Sequence, residues 1–347
     1  MLKILFFLSS GLFLGWSLGA NDAANIFGTA VGTKMIRFKL AALICSVFII
    51  IGAVVSGAGA SHTLGKLGAI NELGGAFIVA LAAAITVLWM TKSGLPVSTS
   101  QAIVGAIIGW NFFSHNPTSI SSLSKIVGTW IFSPILSAVF SFIIFFIVKG
   151  VVEKSKIHLI RLDFYTRIGL IIVGAFGAYS LGANNIANVM GVFTSSSPFH
   201  NMSVGSLFQL SSIQQLFLLG GIAIAVGVFT YSKKVMMTVG KGIFKLSPIS
   251  AFVAVSASSL VLFVFASQGL KYFLISHGLP SFPLVPVSSS QSIVGAVLGI
   301  SIAKGGRNIN WRMLGKISSG WVITPIAAAI LSYFSLFFMQ NVFMMNV

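Results

Sequence analysis

Apolar runs of membrane-spanning length recur along the whole chain, separated by short polar or basic stretches. A helix needs about 20 apolar residues to cross a hydrocarbon core about 30 Å thick. Ten runs meet or approach that length: 4–32, 40–60, 75–91, 97–113, 126–148, 167–194, 213–231, 248–266, 286–303 and 317–340. The fourth and ninth are short and open on polar residues. The first and sixth are long and carry Asn-rich interruptions. The pattern predicts ten helical spans, four of them irregular. Pro134 and Pro325 fall inside the fifth and tenth runs and predict kinks there.

Composition narrows the class. Only 7% of the 347 residues are charged, against roughly 25% in soluble domains, which excludes a water-soluble globular protein. The apolar content excludes a disordered chain, and the 36 Gly lack a three-residue period. A single cysteine, Cys45, excludes an internal disulfide framework and a cysteine-cluster metal site. The net charge of +17 suggests nucleic acid, but the basic residues do not cluster on one segment. They sort by side of the membrane. The connections after spans one, three, five, seven and nine hold 17 of the 21, and Lys3, Lys66, Lys125 and Lys271 are the rest. The positive-inside rule then makes those five connections cytoplasmic and puts both termini outside.

The chain also repeats itself. LGANDAAN at 18–25 returns as LGANNIAN at 181–188, an offset of 163. PVSTSQAIVGAIIG at 96–109 returns as PVSSSQSIVGAVLG at 286–299, an offset of 190. Lys125, Trp130 and Pro134 return as Lys316, Trp321 and Pro325. Between these anchors Gly52 aligns with Gly221, and Ala76-Phe77 with Ala251-Phe252. Five spans per copy turn the second copy upside down, and the loop charges swap accordingly. The loop at 33–39 has three basic residues and its mate at 195–210 none; the loop at 61–74 has one and its mate at 232–247 four. The expected fold is all-α: a polytopic membrane protein of two inverted-topology repeats, 1–148 and 167–347. A basic cytoplasmic connection at 149–166 joins them, and broken or re-entrant helices lie at the centre.

Candidate chemistry sits in the irregular segments. Asn21, Asp22 and Asn25 fall in the first span, and Asn184, Asn185 and Asn188 at the matching place in the sixth. Asn21 and Asn25 are four apart and share a helix face. An ionised Asp near the bilayer centre costs roughly 2.5–3.5 kcal/mol and needs a cation, a proton or a polar cavity. The other acids, Glu72, Glu153 and Asp163, fall in loops. The plainer reading of the Asn residues is interhelical hydrogen bonding. The second pair is Ser98, Thr99, Ser100 and Gln101 against Ser288, Ser289, Ser290 and Gln291. Proline followed by Ser/Thr marks a helix start, whose free N–H groups favour an anion. The plainer reading is an ordinary N-cap. Re-entrant hairpins over 76–113 and 251–303 have the same parity as two crossings each, and would place Lys92 deeper.

The duplicated GANDAAN and PVSTSQ segments, in this order, resemble the inorganic phosphate transporter (PiT) family, over nearly the whole chain. The resemblance implies a symporter that imports inorganic phosphate by alternating access, coupled to sodium or protons, with no cofactor. It implies substrate contacts from Asn21, Asp22, Thr99, Ser100, Gln101, Asn184, Asn185, Ser289, Ser290 and Gln291. It implies cation contacts from Asp22, Asn25, Ser98, Asn188 and Ser288, with sodium at Asp22 and Asn25. The family's second motif usually has Asp where this chain has Asn185. The expected partners are phosphate, the coupling ion and the lipid bilayer, not nucleic acid; a homodimer stays open. The expected place is the cell inner membrane, multi-pass. A sulfate or other tetrahedral-oxyanion permease and an anion channel are the competing readings. A membrane enzyme is not expected, because His62, His115, His158, His200 and His277 lie in loops or at span ends.

Overall fold

A computed structural model describes residues 2–68, 70, 72–93, 97–155, 157–204, 208–238, 246–306 and 311–342. Gly94, Leu95 and Pro96, which open the first Ser/Thr segment, lie outside the described residues, as do Lys241, Lys245 and Arg307.

Each expected span appears as a helix. In chain order these are α1 (Leu2–Gly32), α2 (Phe38–Ser56), α4 (Leu73–Lys92), α5 (Thr99–Phe113), α6 (Ile120–Ser155), α7 (Leu159–Met190), α8 (Ser212–Thr230), α10 (Pro248–Val264), α12 (Ser289–Ala303) and α13 (Trp311–Asn341). Three short helices occupy expected loops: α3 (Ala58–Gly65), α9 (Ser232–Thr238) and α11 (Gln268–Ser276). At seven to nine residues they are too short to leave a periodic signal. His62 therefore lies on a helix. A small antiparallel hairpin, β1 (Met202–Val204) and β2 (Phe208–Leu210), pairs Met202 with Leu210 ahead of α8. Local chemistry sets several helix starts. Ser211 and Gln214 form a reciprocal capping box on α8. Ser247 caps α10, with Pro248 in the first turn.

The stretch 149–166 is not a loop. α6 continues to Ser155 and α7 starts at Leu159, so Glu153 and Asp163 sit on exposed helix ends. Each pairs with a cation one turn away, Lys149 at 3.8 Å and Arg167 at 3.3 Å. Exposed pairs of this kind stabilise little.

Among the described residues six helices are long and apolar enough to cross a membrane. A seventh candidate is α10 with α11, bent by 70° at the break between them. α5 and α12 have 15 residues each, about 22 Å of helix, which is short of a full crossing. Both begin buried, at Thr99 and Ser289, and end near the surface, with Phe112 and Ile302 exposed. The expected short spans are thus half-helices that start inside the molecule.

α6 and α13 carry their small polar residues inward. Ser133, Ser137 and Ser141 are fully buried, as are Thr324 and Ser332, while Phe132, Ile135, Phe334 and Phe338 are exposed. This reverses the pattern of a soluble protein. It is the packing mode of helices whose outer surface faces hydrocarbon and whose inner surface needs close approach. Both helices run through their prolines without a break in the helix assignment.

The helices pair reciprocally between the halves. α2 packs on α7 and α1 on α8, while α5 packs on α13 and α6 on α12. The contacts are glycine to backbone: Gly105 of α5 lies against Pro325, and Gly295 of α12 against Pro134. In the same way Gly52 lies against the Tyr179 carbonyl and Gly227 against the Trp16 carbonyl. Trp16 and Tyr179 are repeat mates at the offset of 163, so the structural mate of Gly52 is Gly227. Gly221 meets only ordinary van der Waals neighbours. The alignment of Gly52 with Gly221 is corrected accordingly, and the new offset of 175 agrees with that of Ala76-Phe77.

Candidate functional site

Both Asn-rich segments lie within continuous helices, α1 and α7, rather than at helix breaks. The breaks are at the starts of α5 and α12. Ser98 and Ser288 are their N-caps, accepting from Gln101 N and Gln291 N, each at 3.2 Å. Capping closes one N–H of each first turn and leaves the preceding N–H groups available. The plain capping reading and a ligand-binding reading therefore coexist at one helix end.

The structure gathers all fourteen candidate residues into the interior. None exceeds 7% exposure, and Asp22 is at 2%. Thr99 Oγ1, Gln101 Oε1, Gln291 Oε1, Asn185 Nδ2 and Asn188 Oδ1 are buried with no hydrogen-bond partner. Buried polar atoms are rarely left so; these five lie at the two helix starts and on the Asn-rich segment of α7, while others, such as those of Ser133, Ser137 and Ser332, lie on α6 and α13.

The halves meet crosswise. Asp22 on α1 accepts from Ser289 Oγ of α12 at 2.8 Å through Oδ2, and from Asn21 Nδ2 at 2.8 Å through Oδ1. Asn25 Nδ2 donates to the same Ser289 Oγ at 3.1 Å. On the other side Asn188 Nδ2 of α7 donates to Ser100 Oγ of α5 at 2.9 Å and to Asn185 Oδ1 at 2.7 Å. Each Asn-rich segment thus engages the half-helix of the opposite repeat. Ser290 Oγ lies 3.0 Å from Ser288 Oγ within its own helix start.

Sequence reasoning misses the backbone that completes the site. The extended segment before α12 is held from three elements. Asn184 Nδ2 donates to Val285 O at 3.1 Å and its Oδ1 accepts from Val287 N at 2.7 Å. Ser100 Oγ donates to Val287 O at 3.1 Å, and Thr63 Oγ1 of α3 to Leu284 O at 2.6 Å. In the first half Asn21 Nδ2 reaches Val97 O at 3.3 Å. Backbone acceptors have no side-chain signature, so only the neighbouring Pro and Val hint at an extended segment. Asn184 is fully buried with both ends of its amide on backbone. Asn184→Ala leaves a buried N–H and a buried carbonyl unpartnered, at a cost of about 2–4 kcal/mol. Asn184→Asp keeps the acceptor for Val287 N and, neutralised by burial, offers an O–H donor to Val285 O. Thermal unfolding in detergent is expected to rank wild type above Asp above Ala. Equal midpoints for the two variants contradict the double clamp.

Two buried half-helix starts, one in each half, are thus hydrogen-bonded to the Asn-rich segments of the opposite half, with the buried carboxylate of Asp22 at one of them. The chain belongs to the phosphate transporter family, which matches residues 18–332. Relatives include a candidate phosphate permease of Methanocaldococcus jannaschii, 28% identical over 92% of this chain and 93% of that protein. A sulfate permease of Bacillus subtilis is 29% identical over 93% of this chain and 84% of that protein. A solved structure titled the sodium-dependent phosphate transporter superposes with a TM-score of 0.77. It covers 98% of this chain and 99% of that one at 24% identity, and so shows the same fold. Family and fold are those of transporters rather than enzymes, and the chain is a multi-pass membrane protein.

Proposed function

We propose that the protein is a cation-coupled symporter that imports inorganic phosphate across the cell inner membrane by alternating access. The observation that carries this reading is Asp22, a buried carboxylate hydrogen-bonded to the first residue of a half-helix and without an ion pair among the described residues. An anion held at the starts of α5 and α12 is repelled by that carboxylate unless a positive charge accompanies it. Coupling follows: the empty site and the fully loaded site reorient, and the site holding anion alone does not. Asp22 and Asn25 hold the cation, sodium or a proton. The half-helix N–H groups, with Thr99, Ser100, Gln101, Ser289, Ser290 and Gln291, take the oxyanion oxygens. Asn21 and Asn184 position the two starts through Val97, Val285 and Val287.

Family membership favours phosphate, and the sulfate permease among the relatives makes sulfate the second reading. The donors are neutral hydroxyls and amides, which suit a tetrahedral oxyanion that must later leave. The basic bias of the odd-numbered connections supports termini on the outside. In vesicles containing the purified protein, unlabelled phosphate is expected to suppress labelled phosphate uptake at far lower concentration than sulfate does. The reverse order assigns the protein to sulfate. Conductance without accumulation makes it a channel.

A further inference from the structure

Lys125 heads a motif that recurs as Lys316, Trp321 and Pro325, and it takes no part in the candidate site. Its helix, α6, is the least buried of the six long apolar helices. The surface beside α6 is concave. A groove of about 460 Å³ runs along the helix, with Phe265, Phe282 and Pro283 as its opposite wall. On the α6 side Lys125, Gly128, Phe132, Ile135 and Val139 line it. They follow one another at three- and four-residue steps, which is one helix face.

Both walls are fixed by contacts of their own. Phe265 and Phe282 pack edge to face at 5.6 Å, and Val285 N donates to Phe265 O at 3.2 Å. Thr63 Oγ1 holds the same segment at Leu284 O. Across the groove Gly128 leaves room, since nothing lies within 4 Å of a Cβ placed there.

The two ends of the groove differ. Lys125 stands in the second turn of α6, exposed, with no hydrogen bond or ion pair among the described residues. Ser124 and Thr129 are the other polar residues of the lining, both beside the lysine, and no acid lines it. Below them the lining is apolar. Gly128 to Val139 is about 17 Å of helix, close to the depth of one leaflet, about 15 Å. A lysine near a helix end extends its ammonium to the headgroup layer. An ammonium at headgroup level above an apolar groove one leaflet deep matches a phospholipid, with an acyl chain in the groove and the phosphate at the lysine. Headgroup charge decides the class. In a zwitterionic lipid a quaternary ammonium neighbours the phosphate and offsets the attraction; an anionic headgroup has no such cation.

We infer that the groove between α6 and the Phe265–Phe282 wall holds one acyl chain of an anionic phospholipid whose phosphate pairs with Lys125. The inference does not depend on which ion the protein carries. Native mass spectrometry of the full chain, released from nanodiscs of equal phosphatidylglycerol and phosphatidylcholine, tests it. Basic connections elsewhere on the chain also retain anionic lipid, so the reading is the difference between wild type and variant. Gly128→Trp fills the groove and is expected to retain one lipid fewer per chain than wild type. That one lipid is expected to be phosphatidylglycerol over phosphatidylcholine by about fivefold, the effect of a single lysine near the membrane surface. Lys125→Gln is expected to bring the preference near one, and Lys125→Arg to restore it. Equal lipid counts in wild type and Gly128→Trp overturn the inference, and so does an unchanged preference in Lys125→Gln. A dimer in wild type that Gly128→Trp converts to a monomer makes the groove a subunit interface and overturns it too. Displacement of the lipid by excess inorganic phosphate makes Lys125 a site for free anions and does the same.

Discussion

Asp22→Asn is expected to abolish gradient-driven phosphate accumulation while leaving a folded protein. The substitution keeps the shape of the side chain, and an amide there still accepts from Ser289 Oγ, now at 2.8 Å from Asp22. It removes the only acidic group in the interior of the bundle; Glu72, Glu153 and Asp163 are exposed. Removing one partner of a buried charge pair costs about 3 kcal/mol, or about two orders of magnitude in cation affinity. Uptake in vesicles is therefore expected to fall to the level of protein-free controls. The melting point in detergent is expected to hold or rise, because an uncompensated buried charge has been removed. Full accumulation by the variant contradicts the coupling role of Asp22.

The second large effect is structural. A Cβ at Gly295 meets the carbonyl oxygen of Pro134, with the Pro134 Cα at 2.6 Å and carbonyl carbon at 2.7 Å. Those atoms are helix backbone and cannot swing aside. Gly295→Leu therefore pushes α12 off α6 and displaces Ser289 from Asp22. Overpacking of a filled interior costs about 1–3 kcal/mol, and more where backbone must move. Gly105→Leu is expected to act alike on α5 through Pro325. Gly128→Leu, on α6, is the control: nothing lies within 4 Å of a Cβ placed there. Size-exclusion profiles after heating are expected to separate the first two variants from the third. If Gly295→Leu melts with Gly128→Leu, the close helix approach is wrong.

The spans were readable because hydrocarbon imposes their length, and all ten runs coincide with helices. The half-helices were readable from polar starts such as Ser98 and Ser288. Short helices were not: α3 shares its composition with the loop it replaces, and seven to nine residues carry too few turns to show a period. The pairing of Asp22 with Ser289 was also hidden. A duplicated sequence aligns each motif with its copy, and it says nothing about which half-helix an Asn-rich segment touches. That answer lies in the reciprocal packing of α1 on α8 and of α6 on α12. Asn184 looked like a ligand residue because it matches Asn21. Its amide instead holds the backbone at Val285 and Val287, which no side-chain pattern announces. The sequence alone aligns Gly52 with Gly221, whereas the Trp16 carbonyl against Gly227 and the Tyr179 carbonyl against Gly52 pair Gly52 with Gly227.

The most direct test of coupled phosphate import is labelled phosphate uptake into proteoliposomes under an inward sodium gradient, an inward proton gradient, or none. The account predicts transient accumulation above the external concentration under one of the two gradients, collapse when an ionophore dissipates it, and only slow equilibration without it. Equal, non-accumulating uptake in all three conditions contradicts it.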